Sequence, residues 1–139
     1  MYALIDGNSF YYSCEQVFRP ALKEKAVVIL SNNDGCVVSL TAQAKAFGIK
    51  MGVPYFWVKH VVSQGLLFAF SSNYELYGDM SNRIMKTIES IAPAVEIYSI
   101  DKCLAQLNTL NDLQGLGTQI KQRIMQWVGI PTCVGIAPR

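Results

Sequence analysis

Val95-Glu96-Ile97-Tyr98-Ser99-Ile100-Asp101-Lys102-Cys103-Leu104-Ala105-Gln106-Leu107 reads as two strands that meet at one acid. Residues 95–98 alternate in the β pattern and run into the turn, and 103–107 leave it as a second apolar stretch. An Asp held between two strands sits rigidly at a sheet end, a good place for a metal-binding carboxylate. Its neighbour Lys102 is a cation, and cations repel metals. The question of function turns on that pair.

Working outward, Ser72-Asn73 caps a long helix whose apolar face carries Leu76, Met80, Ile84, Ile88 and Ile91, and Pro93 ends it. Downstream lie a helix from about Asn111 to Val128 and a last strand from Thr132 to Ile136. At the other end, the apolar run 2–5 stops at Asp6, and Gly7-Asn8-Ser9 punctuates and offers a helix cap. Phe10 to Phe18 follows as a helix with Phe10, Cys14, Val17 and Phe18 on one face, ended by Arg19-Pro20.

The middle of the chain is a smaller set of elements. A buried strand Ala26–Leu30 reaches the turn Asn32-Asn33-Asp34-Gly35, and a second strand runs through Val38. Thr41 caps a short helix to Phe47, stopped by Gly48, and Lys50–Pro54 is a loop. A weaker helical piece covers Phe56 to Val62, and Leu66 to Phe70 is another strand.

With residues 24–72 set aside, the rest reads β-α-β-β-α-β, a ferredoxin-like unit, so the class is α/β (α+β) with a small inserted α/β piece. In that topology the first strand runs antiparallel beside the third. The end of the first, Asp6, then meets the start of the third, Asp101. A hard cation such as Mg²⁺, bound by one or two carboxylates plus substrate phosphates, suits such an edge.

Composition bounds the remaining possibilities. Apolar residues make up 51% and charged residues 16% of 139, enough for a buried core and against disorder. A net charge of +2 neither advertises a nucleic-acid binder nor excludes one with a local basic face. No apolar run is long enough for a membrane span, and Met1 leads directly into a strand-like run without a basic leader, so a cytoplasmic protein with no membrane partner is expected. Cys14, Cys36, Cys103 and Cys133 form no CxxC pair and His60 is the only histidine, which argues against zinc and for reduced, buried thiols.

Several ordered blocks carry a resemblance. They are Asp6-Gly7-Asn8-Ser9-Phe10-Tyr11, Leu30-Ser31-Asn32-Asn33-Asp34-Gly35-Cys36-Val37-Val38, Ala44-Lys45-Ala46-Phe47-Gly48-Ile49-Lys50-Met51-Gly52, Phe70-Ser71-Ser72-Asn73-Tyr74-Glu75-Leu76-Tyr77-Gly78-Asp79-Met80-Ser81 and Val95-Glu96-Ile97-Tyr98-Ser99-Ile100-Asp101. Together, from Met1 to Pro138, they closely resemble the bacterial UmuC proteins, Y-family translesion DNA polymerases of the SOS response to DNA damage.

The resemblance implies a palm over 1–23 and 73–139 with a fingers insertion over 24–72. It implies two Mg²⁺ ions on the palm carboxylates, binding the incoming triphosphate and promoting attack by a primer 3′-hydroxyl. Asp6 and Asp101 then match catalytic metal ligands, and Gly7 a position whose backbone carbonyl also coordinates. Phe10 and Tyr11 match the aromatic pair beneath the nucleotide sugar, where Tyr11 excludes a ribose 2′-hydroxyl, and Lys45 matches a basic residue facing the triphosphate. Implied partners are a DNA primer–template, dNTPs and UmuD-type accessory subunits.

The chain departs from this pattern in three places. Lys102 replaces the Glu of the motif Ser-Ile-Asp-Glu, and Leu40 and Gln43 stand where UmuC-like sequences carry an Arg and a Glu. The sequence stops at Arg139, short of the thumb and little-finger domains. A unit charge about 4 Å from another is worth roughly 4 kcal/mol at an effective dielectric near 20, so Lys102 in that pocket opposes a divalent ion. The expectation is a palm-and-fingers portion, inactive by itself and with Mg²⁺ binding weakened or lost. A non-catalytic module that binds accessory subunits or competes with an intact polymerase is the alternative. A working metal-dependent enzyme on the reduced scaffold is a third reading, opposed by Lys102.

Overall fold

A computed structural model describes residues 1–107 and 112–138. In chain order it contains β1 (Tyr2–Gly7), α1 (Phe10–Phe18), β2 (Val27–Leu30), β3 (Val37–Leu40), α2 (Ala42–Lys45), α3 (Lys59–Ser63), β4 (Phe68–Ser71), α4 (Tyr74–Glu89), β5 (Ala94–Ser99), β6 (Lys102–Gln106), α5 (Leu113–Trp127) and β7 (Thr132–Ala137). The expected start of the last helix at Asn111 lies outside the described residues. Asp112 caps α5, its carboxylate accepting from the Gly115 N–H, with a left-handed backbone (φ +50°) that Asp tolerates better than most residues.

By packing, the chain divides into two compact units, Met1–Phe10 with Glu75–Arg139, and Tyr11–Tyr74. This grouping assigns α1 beyond Phe10 to the second unit, whereas the resemblance starts the insertion at about residue 24.

The first unit is built on a four-stranded sheet in the order β5-β6-β1-β7. Every neighbouring pair is antiparallel, and the first and third strands of the ferredoxin-like order lie side by side as expected. Along β1 the side chains alternate: Ala3, Ile5 and Gly7 are buried, while Tyr2 and Asp6 are half-buried and Leu4 is exposed. Cys103 and Ala105 repeat the pattern on β6. One face of the sheet is therefore covered and the other open, as antiparallel sheets allow.

The helices of this unit follow from their apolar stripes. Tyr77, Met80, Ile84 and Ile88 recur at helical spacing and are buried along α4. Tyr77 is fully enclosed, while the expected Leu76 and Ile91 are only half-buried. Ser72 does not cap this helix with its side chain; its hydroxyl donates to the Leu30 carbonyl at 2.6 Å. On α5 the buried residues are Gly117, Ile120 and Ile124. A Cβ at Gly117 would come within 3.2 Å of Ile136 Cδ1, so the missing side chain lets α5 lie close on β7.

The second unit has a three-stranded sheet in the order β3-β2-β4. β2 pairs antiparallel with β3 and parallel with β4. As the central strand it is apolar on both faces, and Val27, Val28 and Ile29 are all fully buried. Val28, Val37, Leu40, Ala44, Ile49 and Val58 belong to its core. The β2–β3 turn is closed by Asp34, whose carboxylate accepts from the Cys36 N–H at 3.0 Å, and by Gly35 at φ +67°. That hydrogen bond holds the Asp34 carboxyl below the ordinary carboxylate range. On α1, Phe10 and Cys14 are buried as expected, but Phe18 is 61% exposed, because the apolar stripe ends one turn before the helix does.

All four cysteines are free. Cys14 and Cys103 are buried, but Cys36 is only half-buried and Cys133 is exposed, which corrects the expectation of four buried thiols. No helix among the described residues is long and apolar enough to cross a membrane.

Candidate functional site: the carboxylate edge

Backbone register assembles the edge. In the β1–β6 ladder Asp6 lies directly opposite Lys102, and the Gly7 N–H donates to the Asp101 carbonyl at 2.8 Å. Asp6 and Asp101 therefore stand at the same end of neighbouring strands, one register position apart. On its other side Asp6 pairs with Cys133 of β7. Asp101 occupies the hairpin tip, since Ser99 pairs with Lys102 and leaves Ile100-Asp101 as the loop. The register slips between Ile97 and Ser99, a bulge at Tyr98 of the kind that re-aims side chains at sheet ends.

Side-chain contacts then fix Asp101. Ser99 Oγ donates to Asp101 Oδ1 at 2.9 Å, and Lys102 Nζ stands 3.9 Å from Asp101 Oδ2. Lys102 is about half-exposed, so this ion pair is weak in itself, of order 0–1 kcal/mol. Directly opposite residues of an antiparallel pair share a face with Cβ atoms about 5 Å apart, which sets the Lys102 stem beside Asp6 as well. Gly7 is closely hemmed: a Cβ there would lie 3.2 Å from Phe10 Cδ1 and 3.8 Å from Asp101 Cβ.

The other expected residues have separate settings. Phe10 is buried. Tyr11, the first residue of the second unit, is half-buried and meets Tyr74 edge-to-face with centroids 6.3 Å apart. Lys45 ends α2, is exposed, and lines a groove of about 370 Å³ with Leu40, Gly48, Ile49, Lys50 and Met51. Leu40 is part of the core beneath that groove, which explains why an apolar residue is accommodated there; Gln43 is exposed. His60 is exposed. On α5, the Arg123 guanidinium lies over the Trp127 ring at 5.2 Å.

Mg²⁺ takes near-octahedral oxygen ligands, often including one or two carboxylates. Asp6, Asp101 and the Gly7 carbonyl suit it in kind. The described residues contain no cluster of three or more His, Cys, Asp or Glu side chains able to hold a metal. Position 102, where the resemblance asks for a third acid, presents an ammonium toward Asp101 instead. The two-ion arrangement does not fit this edge as it stands.

Two contributors escaped the sequence reading. Ser99 orients Asp101 by a local hydroxyl–carboxylate bond two residues apart, a spacing that could have been noticed. Ser81, on α4, donates its hydroxyl to the Ile100 carbonyl and ties the hairpin tip from 19 residues away, which no local pattern announces.

The fold has close counterparts among solved structures. The insertion ternary complex of Dbh DNA polymerase superposes with a TM-score of 0.85 at 26% identity, covering 99% of this chain and 42% of that one. DinB from Sulfolobus solfataricus gives 0.83 at 26% identity, with the same coverage of 99% and 42%. These are Y-family polymerase structures, and the match bears out the α+β palm-and-fingers class. The chain belongs to the impB/mucB/samB family, which it matches over residues 5–139. It is 49% identical to protein UmuC and 48% identical to protein ImpB, both of Salmonella typhimurium, over 99% of its own length and 33% of theirs. The chain thus spans about one third of the curated relatives it matches.

Proposed function

We propose that this chain is the palm-and-fingers part of a UmuC-like translesion DNA polymerase of the SOS response, and that by itself it does not extend a primer. The observation that carries the reading is the register that brings Asp6, Gly7 and Asp101 to one end of β1 and β6. Asp6 and Asp101 are the catalytic acids of this reading. Phe10 and Tyr11 form the floor under the nucleotide sugar, with the Tyr11 ring excluding a 2′-hydroxyl. Lys45, beside Lys50 on the rim of its groove, supplies positive charge for an anionic triphosphate. The working setting is cytoplasmic, on damaged DNA, with UmuD-type subunits as partners.

Lys102 supports inactivity alone, because its ammonium opposes a divalent ion at the acid edge. The same lysine favours the second reading, a non-catalytic module that competes with an intact polymerase or binds its accessory subunits.

Two assays test this. The purified chain, given a primed template, dNTPs and Mg²⁺, is expected to give no extended product; extension that Asp101→Ala abolishes would overturn the inactivity. Substituting this chain, with Lys102→Glu, for the matching third of a UmuC relative is expected to give a polymerase. A folded chimera without primer extension would overturn the palm-and-fingers assignment.

A further inference from the structure

In the polymerase reading Lys102 is only an obstacle, yet its placement is that of a counter-ion. It lies opposite Asp6 in the ladder on the open face of the sheet, and its Nζ is 3.9 Å from Asp101 Oδ2. The other Asp101 oxygen is already held by Ser99. The lysine cannot drift from these acids along the chain, because Ser99 pairs with it across the hairpin and the Asp101 carbonyl is bonded to the Gly7 N–H.

We infer that the Lys102 ammonium is the resident cation of this edge, balancing Asp6 and Asp101 in the place a divalent ion would otherwise take. The first unit then closes its sheet end without metal. An incoming Mg²⁺ or Mn²⁺ must compete with a tethered positive charge that stays at high effective concentration. Two carboxylates and one ammonium give the edge a net charge of −1, whereas a carboxylate at position 102 would make it −3. A divalent ion feels that two-unit difference doubled, so its affinity should change by at least about ten-fold even with solvent screening. The inference rests on the polymerase reading only for the identity of the ion expected there.

The experiment is a Mn²⁺ titration of the full chain followed by paramagnetic broadening, at one ionic strength, for wild type, Lys102→Gln, Lys102→Glu and Lys102→Glu with Asp101→Asn. Affinity is expected to rise from wild type through Lys102→Gln to Lys102→Glu, the last by about ten-fold or more, and to fall back when Asp101→Asn is added. The thermal midpoint of wild type is expected not to move between EDTA and Mg²⁺, while that of Lys102→Glu rises with Mg²⁺. Equal Mn²⁺ affinity across the series would overturn the inference, as would tighter binding that survives Asp101→Asn. Should Lys102→Glu fail to fold, Lys102→Gln removes the charge without adding an acid and decides alone. A silent polymerase chimera with the Mn²⁺ series as expected would count against the polymerase reading only, and the reverse result against the resident cation only.

Discussion

Thr41→Val is the perturbation whose size the structure fixes best. The two side chains have nearly the same shape, so the change exchanges a hydroxyl for a methyl. Thr41 is buried, and its Oγ1 accepts from the Val27 N–H at 3.0 Å and from the Ala44 N–H at 3.2 Å. The first bond ties the start of β2 and the second caps α2. The hydroxyl's own proton reaches the Lys25 carbonyl at 3.4 Å, a long and minor contact. Valine leaves two buried donors without an acceptor, each costing about 1–3 kcal/mol, and a lost N-cap is worth about 1 kcal/mol on its own. These overlap at Ala44, so we expect a loss of about 2–4 kcal/mol, a large part of the 5–15 kcal/mol that typically holds a domain folded. In urea unfolding this lowers the midpoint by about 1–3 M at ordinary m-values. Thr41→Ser keeps the hydroxyl and should cost only about 1 kcal/mol for the methyl. The contrasting site is Thr132, whose buried Oγ1 has no hydrogen-bond partner among the described residues. There the same substitution should be neutral or stabilising by up to about 1 kcal/mol, since it removes an unpaired polar atom. A Thr41→Val midpoint equal to wild type, or Thr41→Ser falling as far as Thr41→Val, would refute the reasoning.

Gly7→Val should destabilise the chain by about 2–3 kcal/mol in the same assay, because a Cβ already meets the buried Phe10 ring at 3.2 Å and the branches have nowhere to go; Gly7→Ala should cost much less. Thiol labelling with a disulfide reagent at pH 8 should show Cys133 fast, Cys36 slower, and Cys14 and Cys103 silent until the chain unfolds. Burial pushes the Cys14 thiol up to about 12, with Glu15 adding to it, and the Cys103 thiol up to about 11, so neither forms the reactive thiolate below strongly alkaline pH. Rapid modification of all four in the folded chain would contradict this.

The parts of the fold legible in sequence were those with a local cause. The apolar run 2–5 closed by Asp6, the Pro93 stop and the Thr41 cap each name their element from a few neighbouring residues, and all three elements are present. The meeting of Asp6 and Asp101 needed one further step, the ferredoxin-like strand order, and the ladder has it. What stayed hidden was side-chain traffic over long separations. Ser72 looked like a helix cap, yet its hydroxyl goes to Leu30, a choice only tertiary packing can make. The burial of Tyr77 in place of Leu76 was likewise undecidable, since both fit a helical stripe and a rotation of one residue separates them. Exposed Phe18 shows the same limit from the other side: apolarity names a candidate for the core, and the end of the packed surface decides.

Backbone and side chains divide the work at the acid edge unequally. The positions of Asp6, Gly7 and Asp101 are set by ladder register, by the Gly7–Asp101 bond and by Ser81 holding the Ile100 carbonyl, none of which involves the side chain at 102. Position 102 needs only a residue that tolerates an exposed strand end, and lysine and glutamate both do. The fold is therefore blind to the very choice that sets the sign of charge beside the two acids. A chain can therefore keep 49% identity to UmuC over nearly its whole length whichever charge position 102 carries. It also follows that Lys102→Glu should leave the sheet register unchanged while altering what the edge attracts, so structure and ion affinity can be varied independently at this one residue.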